Sequence, residues 1–340
     1  MELSVLAWLI SSIVFSTAII TVNKSLTRIY HFTYMGTLTS IHFLCTYIIL
    51  TIMVKLNIIE SAKDFPITRR WLLALWGVGS VVFMNLNLAT NSVGFYQLSK
   101  MCTIPALVVF NYFALKKTTP LNTLISLSIL LIGVYLYSVN DVEANTTGTI
   151  FAILAIIATT GFQAKSNLEQ KNYGISGPAC QHATALPQFV LCSITALSTD
   201  FSGINTILEH KFTRSEIITI IASCLLAVGV NVSFFALVGK TSPITYQVVG
   251  HLKTVLILIF GIVLFPPEQK VEKARFYKTL LGIAISMVGI ILYSIFQHLN
   301  KPPPPPEDEK GFLEERKKEE EKIGFFESVK SEKENKSNVL

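Results

Sequence analysis

The sequence predicts an all-α membrane protein of about ten transmembrane helices, and three observations support that fold class. The mean hydropathy is +0.53 and only 15% of the residues are charged, whereas soluble domains carry about 25%. The apolar residues form long runs, which is typical of helices in a bilayer. The links between the runs are short, so they leave no room for a soluble catalytic domain.

The span lengths follow from the thickness of the membrane. A hydrocarbon core of about 30 Å is crossed by a helix of about 20 apolar residues. The first run follows Met1 with no basic segment and no small-residue cleavage site, so we expect it to remain as a span. With these rules the chain has ten candidate spans: 3–22, 33–54, 72–90, 95–115, 121–139, 147–167, 178–199, 215–238, 243–264 and 276–297.

The chain divides into a membrane body, residues 1–300, and a C-terminal tail, residues 301–340. The tail opens with the proline run 302–306 and holds 9 basic and 11 acidic residues. This composition cannot bury a core, and we expect a disordered tail. The positive surplus of the chain therefore lies in the body, which favours contact with anionic lipids or with an anionic solute.

The orientation is predicted from basic residues in the loops. If the N-terminus is cytoplasmic, the first three cytoplasmic loops are rich in lysine and arginine, and the opposite loops hold only Lys24 and Arg28. The second half of the chain is less decisive. Basic residues favour the cytoplasmic side, so we expect both termini, and with them the tail, in the cytoplasm.

An internal repeat is predicted from two segments at an offset of 150 residues. Residues 92–97 and 242–247 each open a span and carry a Tyr-Gln pair, and the spans before them bear Asn85 and Asn231. The repeated spans are the fourth and the ninth, and five is an odd number, so the second copy enters the membrane from the opposite side. This pattern is typical of inverted repeats, whose interface holds the substrate in many carriers. The predicted halves are about 1–143 and 144–300.

Three lysines lie within predicted spans, where a charge costs about 2.5–3.5 kcal/mol at the centre of the helix. Lys253 is at the middle of its span, so we expect it to face a wet cavity or a partner. Lys100 lies a third of the way into the fourth span and Lys165 near the end of the sixth. Either of these two could instead extend its amine to the interface.

Polar side chains share a helix face with two of these lysines. Tyr246, Gly250 and Lys253 follow an i, i+4, i+7 stripe, which offers a hydroxyl, a gap and a cation. Tyr96 lies four residues before Lys100. No carboxylate lies deep in a predicted span, so two cations facing one cavity would repel each other until an anion arrives. A phosphate or diphosphate supplies that anion, with lysine as a point-charge ligand.

Catalytic and metal-binding patterns are missing from the sequence. There is no HExxH motif, no acidic pair inside a span, and no metal-type spacing among the five cysteines. We therefore predict a protein that is not an enzyme and that has no cofactor, no metal and no nucleic-acid partner.

Two stretches resemble the triose-phosphate translocator and nucleotide-sugar transporter family. Residues 91–105, NSVGFYQLSKMCTIP, are similar to its fourth-span motif, and residues 241–254, TSPITYQVVGHLKT, to its ninth-span motif. Asn23-Lys24 resembles the Asn-Lys pair of the family. The likeness covers about residues 5–297 and implies the drug/metabolite transporter fold, with two inverted five-helix halves and strict antiport by alternating access.

The resemblance also implies roles for individual residues. In the plastid sugar-phosphate members, lysines matching Lys100 and Lys253 hold the phosphate, and an arginine follows the second lysine. Thr254 stands in place of that arginine, as in the Lys-Thr subgroup, many of whose members carry UDP-sugars. GDP-mannose carriers have Phe-Tyr-Asn-Asn where this chain has Ala-Cys-Gln-His at 179–182. The substitution disfavours GDP-mannose and makes Gln181 and His182 candidate readers of the base or sugar.

The expected function is therefore a nucleotide-sugar antiporter that exchanges a cytosolic UDP-sugar for a lumenal nucleoside monophosphate, UMP. The resemblance places it in the Golgi membrane, with the ER as the alternative, and a homodimer is left open. The expected phosphate ligands are Lys253, Lys100 and Thr254. The other expected cavity residues are Tyr246, Gln247, Gly250, Tyr96, Gln97, Asn85, Asn231, Lys24, Gln181 and His182.

Three alternatives stay open at this point. An organophosphate or sugar-phosphate translocator needs a second strong cation beside Lys253, where only Thr254 lies. A non-transporting membrane adaptor would act through the tail, so it would tolerate Lys253→Ala but not the loss of residues 301–340. A membrane enzyme is the weakest alternative, because the sequence offers no acid–base pair.

Overall fold

A computed structural model of the protein describes residues 3–138, 145–202, 206–264 and 270–300. These residues form α-helices, a single 3-10 turn at Ile207–Glu209, and no strand. The helices are α1 (Leu3–Ile29), α2 (Met35–Lys55), α3 (Ile67–Thr90), α4 (Val93–Met101), α5 (Thr103–Leu115), α6 (Leu121–Ser138), α7 (Thr146–Asn172), α8 (Gly177–Thr199), α9 (Arg214–Lys240), α10 (Pro243–Leu264) and α11 (Lys270–Leu299).

The predicted membrane-helix class is confirmed. Over the described residues, seven helical segments are long and apolar enough to cross a membrane, and each of the ten predicted spans falls on helix. Several helices run beyond the apolar stretch that marks them: α1 continues to Ile29, and α3 begins at Ile67. Hydropathy fixes only the part of a helix that lies in hydrocarbon, so the polar ends were not predicted.

The fourth predicted span is two helices rather than one. α4 ends at Met101, and α5 begins at Thr103 on the other side of Cys102. Pro105 explains the break, since proline has no N–H to donate to the Met101 carbonyl and its ring crowds that oxygen. α5 continues in the same direction as α4, so the two helices together still form one candidate span, Phe95–Leu115.

The helices pair across the bundle with their polar sides inward. α1 packs against α9, α2 against α8 and α3 against α7. Large apolar side chains such as Ile10, Val14 and Leu75 are more than half exposed, as expected of side chains that face lipid. Ser12 and Thr46, in contrast, are buried, and small hydroxyl residues at helix contacts are typical of packing in membranes.

α6 and α11 approach each other at a small residue. A Cβ built on Gly133 would lie 2.4 Å from the backbone nitrogen of Ser286. Only glycine fits at this position, and the close backbone approach holds the last helix against the end of the first half of the chain.

The second half of the chain packs on itself near the ends of α7 and α9. Near the ends of α7 and α9, Asn167 donates a 2.5 Å hydrogen bond to the Val238 carbonyl. The ring of Phe162 stacks on Phe234 at 5.0 Å. α7 packs on both α9 and α10, and α8 packs on α9. Over the part of the chain that the structure describes, α1 and α2 make no comparable contact with α3.

The chain divides into two units between Ser294 and Ile295. In the second unit the structure describes the end of α11, where the Asn300 N–H donates a 2.8 Å hydrogen bond to the Phe296 carbonyl. The predicted tail, residues 301–340, lies outside the described residues.

Candidate substrate-binding site

A cavity of about 320 Å³ lies among α1, α3, α4, α5, α7 and α10. Its walls carry hydroxyls, amides and two ammonium groups, those of Lys100 and Lys253, and no carboxylate is among its lining residues. Seven of the residues predicted from the sequence line it: Lys100, Lys253, Thr254, Tyr246, Gln247, Gly250 and Gln97.

Lys253 is held by α1. Its side chain comes from the middle of α10 and is only 9% exposed. Its ammonium donates hydrogen bonds to the hydroxyls of Ser12, at 2.7 Å, and Ser16, at 3.1 Å. The ring of Tyr246 lies 5.6 Å below the same nitrogen, within the range of a cation–π contact. These contacts stabilise the ammonium form of Lys253 inside the bundle without a carboxylate beside it.

Lys100 reaches the cavity from the last turn of α4. Ser92 starts that helix by accepting a hydrogen bond from the Phe95 N–H, and the break at Cys102 ends it just after the lysine. The Lys100 nitrogen lies 5.6 Å from the Tyr96 ring. Among the described residues, no side chain accepts a hydrogen bond from Lys100, and the residue is exposed to the cavity.

The rest of α10 shapes the cavity wall. Gln247 donates a 3.1 Å hydrogen bond to Gln163 on α7. A Cβ built on Gly250 would meet nothing within 4 Å, so this glycine leaves space for a ligand rather than for a neighbouring helix. Thr254 also lines the cavity, and its hydroxyl donates its one proton to the Gly250 carbonyl at 3.3 Å.

Two residues predicted from the first half of the chain lie away from the cavity. Lys24 and Asn85 are exposed on α1 and α3. The buried asparagine of α3 is Asn87, which donates a 2.6 Å hydrogen bond to Ser99 and accepts one of 2.8 Å from Asn91. Asn87 thus joins the end of α3 to α4, and it supports the helix that carries Lys100.

The candidates on α8 and α9 face α2 or the protein interior instead. Asn231 donates a 3.1 Å hydrogen bond to Thr46. Gln181 is fully buried and bonds to Gln188 on its own helix. His182 lies 3.0 Å from the Thr51 hydroxyl. The structure does not bring these three side chains to the cavity that holds the lysines.

Three polar features of the cavity were missed by the sequence reasoning. They are Ser16, which together with Ser12 accepts hydrogen bonds from Lys253, the 2.6 Å hydrogen bond between Ser80 and Thr159, and Nε2 of His251, which has no hydrogen-bond partner among the described residues. The sequence contains a pattern that could have revealed the two serines, because Ser12 and Ser16 are spaced i, i+4 in a largely apolar span. Which helix that face meets could not be read from the sequence.

Comparison with known sequences decides the family. The profile of the Triose-phosphate Transporter family matches residues 1–294 of this chain. This chain belongs to that family. It is 35% identical over 296 residues to the UDP-xylose transporter 2 of Arabidopsis thaliana, an alignment that covers 87% of this chain and 82% of the relative. It is 31% identical over 290 residues to the UDP-rhamnose/UDP-galactose transporter 2 of the same plant, covering 84% and 81%.

A solved crystal structure shares the fold of this chain. It matches with a TM-score of 0.66 over 88% of this chain and 100% of its own, at 12% sequence identity. At that identity the likeness shows the fold alone. The family resemblance found in the fourth-span and ninth-span motifs is confirmed.

Proposed function

We propose that this chain is a nucleotide-sugar antiporter that exchanges a cytosolic UDP-sugar for lumenal UMP across the Golgi membrane. The observation that carries the proposal is the pair of ammonium groups, Lys100 and Lys253, on one cavity whose lining residues include no carboxylate. UDP-sugars bring a diphosphate and UMP brings a phosphate, so both satisfy the same cations. The relatives that transport UDP-sugars favour a nucleotide sugar over a smaller phosphate.

The lysines and their neighbours have different roles in binding. Lys100, which has no hydrogen-bond partner among the described residues, can meet the incoming phosphate, while Lys253 already has hydroxyl partners. Tyr96 and Tyr246 offer ring faces beside the two cations, and aromatic rings can stack on a nucleobase or a sugar. Gln97 and Gln247 supply amide donors and acceptors to the cavity.

Exchange rather than one-way transport follows from the charge of the empty site. Two cations that share one cavity repel each other, and closing the cavity removes the water that screens them. A bound anion relieves the repulsion. The loaded carrier therefore reorients more readily than the empty one, which couples the entry of one anion to the exit of another.

Two inverted halves, about residues 1–143 and 144–300, give this carrier its two orientations. The predicted repeat matches α1 with α7, α2 with α8 and α3 with α9. It therefore relates the contact of α1 with α9 to that of α7 with α3, and the contact of α2 with α9 to that of α8 with α3. All four of these pairs pack closely. The pair α2 with α8 maps onto itself. This pattern supports the repeat that the sequence predicts.

The packing of α7 and α8 on α9 supports alternating access. The contacts of α7 and α8 with α9 have no close counterpart between α1 or α2 and α3, over the residues that the structure describes. With a cytoplasmic N-terminus, α7 and α9 end on the cytoplasmic side. This conformation is then shut to the cytoplasm, and its cavity faces the lumen through the part lined by Ile20, Met84 and Gln97.

The test is exchange by the purified protein in proteoliposomes. Vesicles preloaded with UMP are offered radiolabelled UDP-xylose, UDP-galactose, UDP-rhamnose, GDP-mannose and triose phosphate in turn. We expect uptake of a UDP-sugar that depends on internal UMP and is absent from empty vesicles. Uptake of triose phosphate alone would favour a sugar-phosphate translocator, and no exchange at all by folded protein would overturn the proposal.

A further inference from the structure

The two cavity lysines differ in what surrounds their ammonium groups. Lys100 has the Tyr96 ring at 5.6 Å and, among the described residues, no hydrogen-bond acceptor. Lys253 has an equivalent ring, Tyr246 at 5.6 Å, and in addition the hydroxyls of Ser12 and Ser16. The two cations therefore respond differently to the loss of a bound anion.

The hydroxyls come from one face of α1. Ser12 and Ser16 are one helical turn apart, so their side chains lie one above the other. Ser12 is 2% exposed and Lys253 is 9% exposed, so water solvates this contact poorly. Of the three N–H donors of an ammonium group, two are used by these serines, so a phosphate that takes more than one of the donors must displace a serine.

A neutral hydroxyl stabilises a buried cation without removing its charge. A hydrogen bond to a charged group is worth about tenfold or more in an equilibrium constant. The Ser12 and Ser16 bonds therefore favour the empty site, while the net positive charge of the cavity persists. A phosphate must compete with these hydroxyls for Lys253, and it meets no such competition at Lys100.

We propose that Ser12 and Ser16 are positioning residues that take the place of the substrate phosphate on Lys253 in the empty carrier, and so set how readily the carrier reorients without substrate. This inference rests on the proposed exchange of nucleotides. It assigns α1 a role in the tightness of coupling, that is, in the ratio of net efflux to exchange. The serines weaken substrate affinity and permit some uncoupled return of the empty carrier.

The experiment measures two quantities on one preparation. The first is the KM for UDP-sugar uptake into UMP-loaded proteoliposomes, and the second is the net efflux of preloaded UMP into medium without substrate. The variants are Ser12→Ala, Ser16→Ala and their combination. Ser16→Thr keeps a hydroxyl, and Ser11→Ala makes the same chemical change on the same helix at a residue that does not contact Lys253.

In the double alanine variant we expect KM to fall by more than about tenfold, and the ratio of net efflux to exchange to fall by a similar factor. Each single variant should move both quantities in the same direction by less. Ser16→Thr and Ser11→Ala should stay close to the wild type. A merely structural role would not lower KM and tighten coupling together.

Two results would overturn the inference while the proposed function stands. A raised KM in a wild-type-like exchange assay would mean that the serines bind the substrate or only hold the fold. Unchanged KM and unchanged efflux would mean that the hydroxyls do not act on Lys253. If the wild-type chain itself exchanges no nucleotide, the proposed function fails, and this inference fails with it.

Discussion

Gln247 on α10 and Gln163 on α7 are joined by a 3.1 Å hydrogen bond between their side-chain amides. Both residues line the cavity, and the bond lies at the end of the bundle where the second half of the chain closes on itself. The amide pair therefore links the two helices that must separate if that end is to open. Gln97, which holds the position of Gln247 in the predicted repeat, has no such partner among the described residues.

The first prediction concerns this amide pair. A neutral hydrogen bond contributes about 0.5–1.5 kcal/mol, which is about a two- to tenfold shift between two conformations. We expect Gln163→Ala and Gln247→Ala each to change the exchange rate by a factor in that range, and the double variant to add little to either. The exchange rates of the wild type and the three variants in proteoliposomes form a double-mutant cycle, which gives the coupling energy between Gln163 and Gln247.

The matched control for that cycle is Gln97→Ala combined with Gln163→Ala. Gln97 lines the same cavity and does not bond to Gln163, so these two effects should add. Additive effects in the Gln163 and Gln247 cycle would show that the bond does not stabilise one conformation over the other.

The second prediction compares two glycines that differ in what surrounds them. Gly250→Val places a side chain in open cavity space, so exchange should be lost while the thermal unfolding temperature changes little. Gly133→Ala instead forces a Cβ to within 2.4 Å of the Ser286 backbone nitrogen, and it should lower the unfolding temperature. Thermal unfolding in detergent and uptake in proteoliposomes separate the two effects. A large loss of stability in Gly250→Val would contradict the account of the cavity.

The third prediction concerns the ion pair between α3 and α7. Arg69 lies 3.3 Å from Glu169, whose side chain is only 4% exposed, whereas that of Arg69 is 48% exposed. Arg69→Ala leaves a buried carboxylate without its partner, and we expect a loss of about 1–3 kcal/mol in the free energy of unfolding.

Arg69→Lys, which keeps the charge, should recover most of that stability. Adding Glu169→Gln to Arg69→Ala should also recover part of it, because the buried charge is removed. If Arg69→Ala unfolds at the wild-type temperature, the pair makes no net contribution.

The parts of the site that could be predicted are those that depend on one helix. The stripe of Tyr246, Gly250 and Lys253 follows from helical periodicity alone, and the structure places all three on the cavity. The break after Lys100 could also have been anticipated from Pro105, since proline disrupts the hydrogen bond four residues back.

The parts that could not be predicted depend on which helices meet. Ser12 and Ser16 contact Lys253 across about 240 residues of chain, and no local pattern sets that contact. Asn85 and Asn87 lie close in sequence, yet only Asn87 is buried, because the orientation of α3 against α4 decides between them. His182 faces Tyr47 and Thr51 for the same reason, since α8 packs on α2.

The fourth prediction separates transport from an adaptor role. Deleting residues 301–340 should leave nucleotide exchange within about twofold of the full chain, because every lysine that lines the cavity lies before the tail. Uptake per folded molecule is compared for the full and shortened chains. Loss of exchange on deletion, together with full exchange by Lys253→Ala, would favour an adaptor that acts through its tail.

The measurement that tests the central claim most directly is UMP-dependent uptake of a UDP-sugar by the wild type, Lys253→Ala and Lys165→Ala. Removing one partner of a buried charge pair costs about 2 kcal/mol or more, so uptake by Lys253→Ala should fall at least about 30-fold. Lys165→Ala removes the same charge from a half-buried residue that does not line the cavity, and it should transport normally. Wild-type exchange by a folded Lys253→Ala variant would contradict the assignment of this cavity as the phosphate site.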